Sequence, residues 1–121
     1  MTRINVIPVE ELTNKHLLAE YRELPRISRA ARHPKQGEQF PNSYVLGAGH
    51  VKFFYDKGTW LAKRFNQLVN EMHIRGYNTN YMEYRPHPEG LNNDWSVDAQ
   101  ALELNRERIR ERLNKPKEVI T

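Results

Sequence analysis

Not one cysteine occurs in these 121 residues. Disulfides and thiolate metal sites are therefore excluded. The five histidines (His16, His33, His50, His73 and His87) show neither HxxxH nor HExxH spacing, so no zinc site and no cofactor is expected. No apolar run approaches the roughly 18 residues that suggest a membrane span. The N-terminus has no signal-peptide core, and a cytoplasmic location without membrane attachment is expected. Glycine is sparse, and its one cluster, Gly47-Ala48-Gly49, lacks the Gly-Lys-Ser/Thr that completes a phosphate loop. A close backbone approach is the expected role of these glycines. Repeats, low-complexity tracts and linker-like stretches are also missing.

Charge is plentiful. Nineteen basic residues against 15 acidic give a net charge of +4, which fits a polyanionic partner weakly. An apolar content of 38% predicts a small core under a wet surface. The length predicts one domain, 1–121.

Residues 1–9 read as an extended arm, because Pro8 fixes its own backbone and biases Ile7 away from helix. Helical spacing starts near Glu10 or Thr13. Leu17, Leu18, Tyr21, Leu24 and Ser28 are expected to face the core. Arg22, Arg26 and Arg29 form a basic stripe on the other side, with Glu23 at its edge. His16, seven residues before Glu23, projects from nearly the same face. Pro25 falls mid-helix and removes one helical hydrogen bond.

A second helical region is expected from His50, with Val51, Phe53, Phe54 and Tyr55 as its apolar set and a break at Gly58. Trp60, Leu61, Arg64, Phe65, Leu68, Val69 and Met72 then give a helical stripe closed by Arg75-Gly76. Residues 77–95 read as irregular. There Tyr77, Tyr81 and Tyr84 suit either stacking on bases or covering the core. Ser96 is the expected N-cap of a last helix running to about Asn114. Its alternating arginines and glutamates suit a solvated, ion-paired face or a grip on phosphates. The fold class expected is all-α: a compact single domain of three main helices with long irregular loops and an extended N-terminal arm.

Thr2 follows Met1, and a small residue there normally lets the methionine be removed. The mature chain then starts with an α-amine whose reference pKa is roughly 7.7–8.0, against about 10.4 for lysine, so part of it is neutral and nucleophilic near pH 7. With a carboxylate nearby, such an amine suits Schiff-base chemistry on a sugar carbon. Met-Thr is by itself a common opening. A retained Met1 would close the amine in a peptide bond.

The opening Met-Thr-Arg-Ile-Asn, the run His16-Leu17-Leu18-Ala19-Glu20-Tyr21-Arg22-Glu23-Leu24-Pro25-Arg26 and the run Leu46-Gly47-Ala48-Gly49-His50-Val51-Lys52-Phe53-Phe54-Tyr55-Asp56-Lys57 resemble the phage-type pyrimidine-dimer DNA glycosylases, the ultraviolet-repair endonuclease V family. A weaker likeness continues through Lys63-Arg64 and Arg75-Gly76 to Arg108-Ile109-Arg110-Glu111-Arg112-Leu113. The resemblance implies a monomeric DNA glycosylase with apurinic/apyrimidinic lyase activity on damaged double-stranded DNA. It implies that the Thr2 α-amine attacks C1′ of the damaged nucleotide and that Glu23 is the essential carboxylate. Arg3, Arg22 and Arg26 would bind the DNA backbone near the lesion, Arg108 and Arg112 would add phosphate contacts, and His16 would lie near the reaction centre.

This chain departs from the family pattern in three places. Lys15 stands where the family has glutamine. The region 77–95 differs and offers room for another lesion reader. The family's aromatic Trp-Tyr-Lys-Tyr-Tyr-Gly tail has no counterpart in Lys117-Glu118-Val119-Ile120-Thr121, which leaves the lesion range open. Two alternatives stand beside the glycosylase: a basic helical DNA-binding module without catalysis, and an abasic-site lyase that has lost lesion specificity.

Overall fold

Thr13 opens the first long helix. Its hydroxyl accepts the His16 N–H at 3.2 Å, satisfying one of the donors that a helix start leaves without a partner. In the computed structural model, which describes residues 4–32, 40–46, 48–79 and 83–114, this helix α1 spans Asn14–Ala31. A 3-10 turn, Val9–Glu11, precedes it. There follow a single-turn helix α2 (His50–Phe53), a long helix α3 (Gly58–Ile74) and a last helix α4 (Ala99–Asn114). No strand occurs among the described residues; an isolated bridge joins Lys57 to Asn92. The fold is all-α, with three main helices as expected, and the described residues between α3 and α4 are irregular. No helix among the described residues is long and apolar enough to cross a membrane.

The core is built where α1 packs along α3. Leu17, Leu24 and Ile27 from α1 meet Leu61, Phe65, Leu68 and Met72 from α3, and all are buried. Each such side chain contributes roughly 1.5–3 kcal/mol of hydrophobic stabilisation. Tyr21 stacks on Phe65 with ring centroids 5.6 Å apart. A second cluster gathers Tyr44, Phe53, Phe54, Trp60 and Trp95, mostly edge to face, the arrangement that ring quadrupoles favour.

The buried face of α1 keeps Leu17, Leu24 and Ser28 of the expected set and adds Glu20, Ile27 and Ala31. Leu18 and Tyr21 pack half-buried at its edge. The carboxylate inside this face escapes hydrophobic spacing, because a charge does not count as apolar until its partner is known.

Two other boundaries differ. Gly58 starts α3 instead of breaking a helix: its N–H bonds the Leu91 carbonyl at 2.9 Å, and a Cβ there would run into the Asn92 side chain. Asp98, not Ser96, caps α4, its carboxylate accepting the Ala101 N–H at 2.7 Å. The end of α3 is as expected. Gly76 takes φ +87°, the Tyr77 N–H returns to Met72 and the Gly76 N–H to His73, the paired bonds of a left-handed helix stop. Gly49, at φ +86°, leads into α2. Gly47 lies outside the described residues.

Residues 4–7 run without helix or sheet partners, yet all four are buried. Side chains take every one of their N–H groups. Ile4 donates to His50 Nε2 at 3.1 Å and Asn5 to Glu20 Oε1 at 3.2 Å. Val6 and Ile7 both donate to Asn105 Oδ1, at 2.6 and 3.1 Å. The Ile4 carbonyl accepts from the Tyr44 hydroxyl and the Ile7 carbonyl from Arg64 Nη1. Arg64 also forks onto Glu20, Nε to Oε2 at 2.6 Å and Nη2 to Oε1 at 3.1 Å.

Removing one member of a buried pair leaves the other charge unpaired out of water, at a cost of about 3–5 kcal/mol. Arg64→Leu should therefore destabilise the protein by about 3–5 kcal/mol in urea unfolding, and a loss under about 1 kcal/mol, the range of exposed pairs, would show that the Glu20–Arg64 pair is not what holds the arm.

Candidate active site

Helix α1 carries two carboxylates three residues apart, and their surroundings are opposite. Glu20 is buried, and Oε1 alone takes three donors: Arg64 Nη2, the Asn5 N–H and Asn5 Nδ2. Oε2 takes Arg64 Nε. A carboxylate has about four acceptor positions, so Glu20 has no capacity left for a substrate proton. Glu23, about 4.5 Å further along the helix axis, has a side chain 27% exposed and, among the described residues, one ion pair, to Arg26 Nη1 at 3.4 Å. Arg26 is itself 73% exposed, so screening by water keeps this contact weak. Glu23 is the α1 carboxylate able to face a ligand.

His16 lies two turns before Glu23. Thr13 Oγ1 accepts the His16 backbone N–H and sits 2.7 Å from its Nδ1. The hydroxyl proton suits Nδ1 as acceptor, which leaves the ring proton on Nε2. Burial pushes the His16 imidazole below its ordinary value of 6.5; the charges of Arg112 and Lys15 push the same way and Glu20 opposes them. The charged form of His16 is thus disfavoured relative to a free imidazole.

Three arginines of α1, Arg22, Arg26 and Arg29, are exposed, and neither Arg22 nor Arg29 forms an ion pair among the described residues. Arg112, near the end of α4, is exposed and close enough for its charge to act on His16. The structure thereby brings Arg112 and the His16 end of α1 together, although they are far apart in sequence. Arg108 is half-buried and lies 3.6 Å from Glu111, so part of its charge is already engaged. Thr2 and Arg3 lie outside the described residues.

Two tyrosines of the irregular region fall to the core. Tyr77 and Tyr84 are half-buried against it. Tyr84 hydrogen-bonds His87 Nε2 at 2.7 Å, and burial pushes its phenol above the ordinary range. Tyr81 lies outside the described residues.

Four residues that hold the arm escaped the reading by spacing: Asn5, Glu20, His50 and Asn105. A signal for one of the contacts, the Glu20–Arg64 pair, was present. Glu20 falls at i+3 from Leu17 and i−4 from Leu24, inside the apolar rhythm of α1, and Arg64 falls inside that of α3. A charge at a core position of each of two neighbouring helices points to a buried pair. Asn5 and Asn105 gave no signal, because a buried amide looks like any polar residue until its partners are known.

Residues 1–88 match the family model described as pyrimidine dimer DNA glycosylase. All of α1 and the arm lie inside that span, and α4 lies outside it.

His16 should titrate below 6.5 by NMR, since burial is the largest cause and cannot be screened away. Arg112→Ala should raise the value without restoring it fully. An unmoved His16 in that variant would mean that α4 does not end beside the start of α1.

Proposed function

We propose that this chain, which belongs to the pyrimidine dimer DNA glycosylase family, excises a damaged base through the α-amine of Thr2 and then cleaves the strand as an apurinic/apyrimidinic lyase. Members of the family are DNA repair glycosylases, and DNA is the substrate.

The observation that carries this reading is the seating of the arm on α1. Asn5 is bonded to Glu20, one helical turn from Glu23. At about 3.3–3.6 Å per residue, the chain from Asn5 back to the Thr2 nitrogen spans at most about 11 Å. That reach allows the amine and the Glu23 carboxylate to act on one sugar. Of the two carboxylates on that helix, Glu23 is the one with acceptor capacity to spare.

The chemistry proceeds in two stages. The amine nitrogen bonds C1′ as the C1′–N bond to the base breaks and the electron pair leaves with the base. Positive charge develops on the sugar, and Glu23 stabilises it. Opening of the sugar ring, with a proton passing to O4′, leaves an imine between Thr2 and C1′. The imine acidifies C2′. Removal of a C2′ proton, by Glu23 or a neighbouring base, expels the 3′ phosphate by β-elimination. Arg3, Arg22, Arg26, Arg108 and Arg112 hold the phosphates, and His16 lies beside the reaction centre. The protein acts as one domain and as a monomer.

Protein that starts at Thr2 should form a borohydride-trapped adduct with abasic-site DNA, and protein retaining Met1 should not. Glu23→Gln should keep DNA affinity while single-turnover base release falls by about 100-fold or more, the scale of one lost electrostatic stabiliser. Near-normal release by that variant would remove Glu23 from the mechanism.

Phosphate grip is separable by salt. Arg22→Ala, Arg26→Ala and Arg112→Ala should each shallow the log affinity–log salt slope by about one. Arg108→Ala should change it less, because Glu111 already engages that charge. Lesion preference should hold across the series, since phosphate contacts position without specifying. An unchanged slope with a collapsed lesion preference would assign these arginines to the base instead.

A further inference from the structure

Asn105 belongs to α4, outside the family match, yet among the described residues its side chain makes the most hydrogen bonds to the arm. It is fully buried. Its Oδ1 accepts two successive backbone N–H groups, Val6 and Ile7, and its Nδ2 donates to Asn5 Oδ1 at 2.8 Å. Those three contacts fix which way the amide faces. Turned over, its NH2 would confront two N–H donors. Asn5 passes the same constraint to α1 by donating through Nδ2 to Glu20 at 3.0 Å. The arm is thus locked in register to α1 and α4 at once.

We propose that Asn105 is a positioning residue for the N-terminal nucleophile: it fixes the register of the arm and so sets the distance from the Thr2 amine to the sugar carbon it attacks. The proposal rests on the reading that the Thr2 amine is that nucleophile. A hydrophobic seat alone would not fix register, because Ile4, Val6, Ile7 and Val9 are similar apolar side chains that shifted seating could still bury. A slip of one residue moves the chain by about 3.3 Å. Reacting atoms must sit within about 3–3.5 Å, and a misplacement of about 1 Å is enough to cost up to about 100-fold. Two backbone donors converging on one oxygen give the register a single solution. Asn105 also shares a face of α4 with Arg108 and Arg112, at i+3 and i+7. The helix that references the nucleophile is thereby the helix proposed to hold the DNA backbone.

The test uses full-length protein starting at Thr2, with Asn105→Ala, the shape-preserving Asn105→Leu, and Val69→Ala as a core variant whose side chain makes none of these hydrogen bonds. Thermal unfolding confirms that each is folded at the assay temperature, and the lower-melting of the two Asn105 variants sets the stability that Val69→Ala must match. The readouts are affinity for abasic-site duplex, the single-turnover rate of borohydride trapping, and the mass of the adduct-bearing peptide.

The expected result is a trapping rate lowered by about 10- to 100-fold in both Asn105 variants, with affinity within about twofold of wild type and Val69→Ala trapping at the wild-type rate. Should Asn105→Ala fail to fold, Asn105→Leu carries the comparison alone, because it fills the space and offers Val6 and Ile7 no acceptor. Trapping at the wild-type rate in a folded Asn105 variant overturns the proposal and leaves the amine reading intact. An equal fall in Val69→Ala overturns it as well, since the effect would then follow stability. An adduct on a lysine of the wild-type protein overturns the amine reading itself and the proposal with it.

Discussion

Burying a stretch of backbone that belongs to no helix and no sheet is the constraint on which this structure depends. Each N–H and C=O taken out of water without a partner costs as much as a lost hydrogen bond. Residues 4–7 are buried, and their four N–H groups are taken by His50, Glu20 and Asn105. The partners come from α1, α2 and α4, while Arg64 of α3 reaches the Ile7 carbonyl. Every helix therefore contributes one side chain to the arm. His50 can do so because its Nδ1–H is already given to the Val45 carbonyl at 2.8 Å, which leaves Nε2 as an acceptor.

The same constraint divides the work of α1. A buried carboxylate needs a cation and a full set of donors, and Glu20 has both in Arg64 and Asn5. That saturation removes it from chemistry. Glu23, a turn away on the same helix, is paired among the described residues with one exposed arginine. The catalytic role proposed for Glu23 fits this contrast: one carboxylate holds the arm, and the other is partly exposed, as the proposed role requires.

Long apolar rhythms were legible without the fold. The α3 stripe from Leu61 to Met72 and the stop at Gly76 follow from spacing and from a residue able to take φ +87°. The exposure of Arg22, Arg26 and Arg29 also followed from spacing. The core face of α1 was less legible, because Glu20 occupies a position where only apolar residues are counted. Ser96 was a plausible cap, but Asp98 lies where the first turn of α4 begins and takes the Ala101 N–H. Capping is decided by where the helix is made to start by packing, and two nearby candidates cannot be ranked by type alone.

Local chemistry by itself determined an all-α protein: a proline-marked arm before α1, helical periods of apolar residues, glycine at a helix end, and no cysteine to staple or ligate. The three quoted runs were enough to indicate the family, because they are long and in order. Which polar residues would be buried, and against what, was decided by the tertiary structure alone. Val6 and Asn105 are 99 positions apart and meet at 2.6 Å; Glu20 and Arg64 are 44 apart and meet at 2.6 Å. A polar side chain carries no mark of its partner in its own neighbourhood, and only packing the helices together, with water excluded between them, makes those hydrogen bonds obligatory.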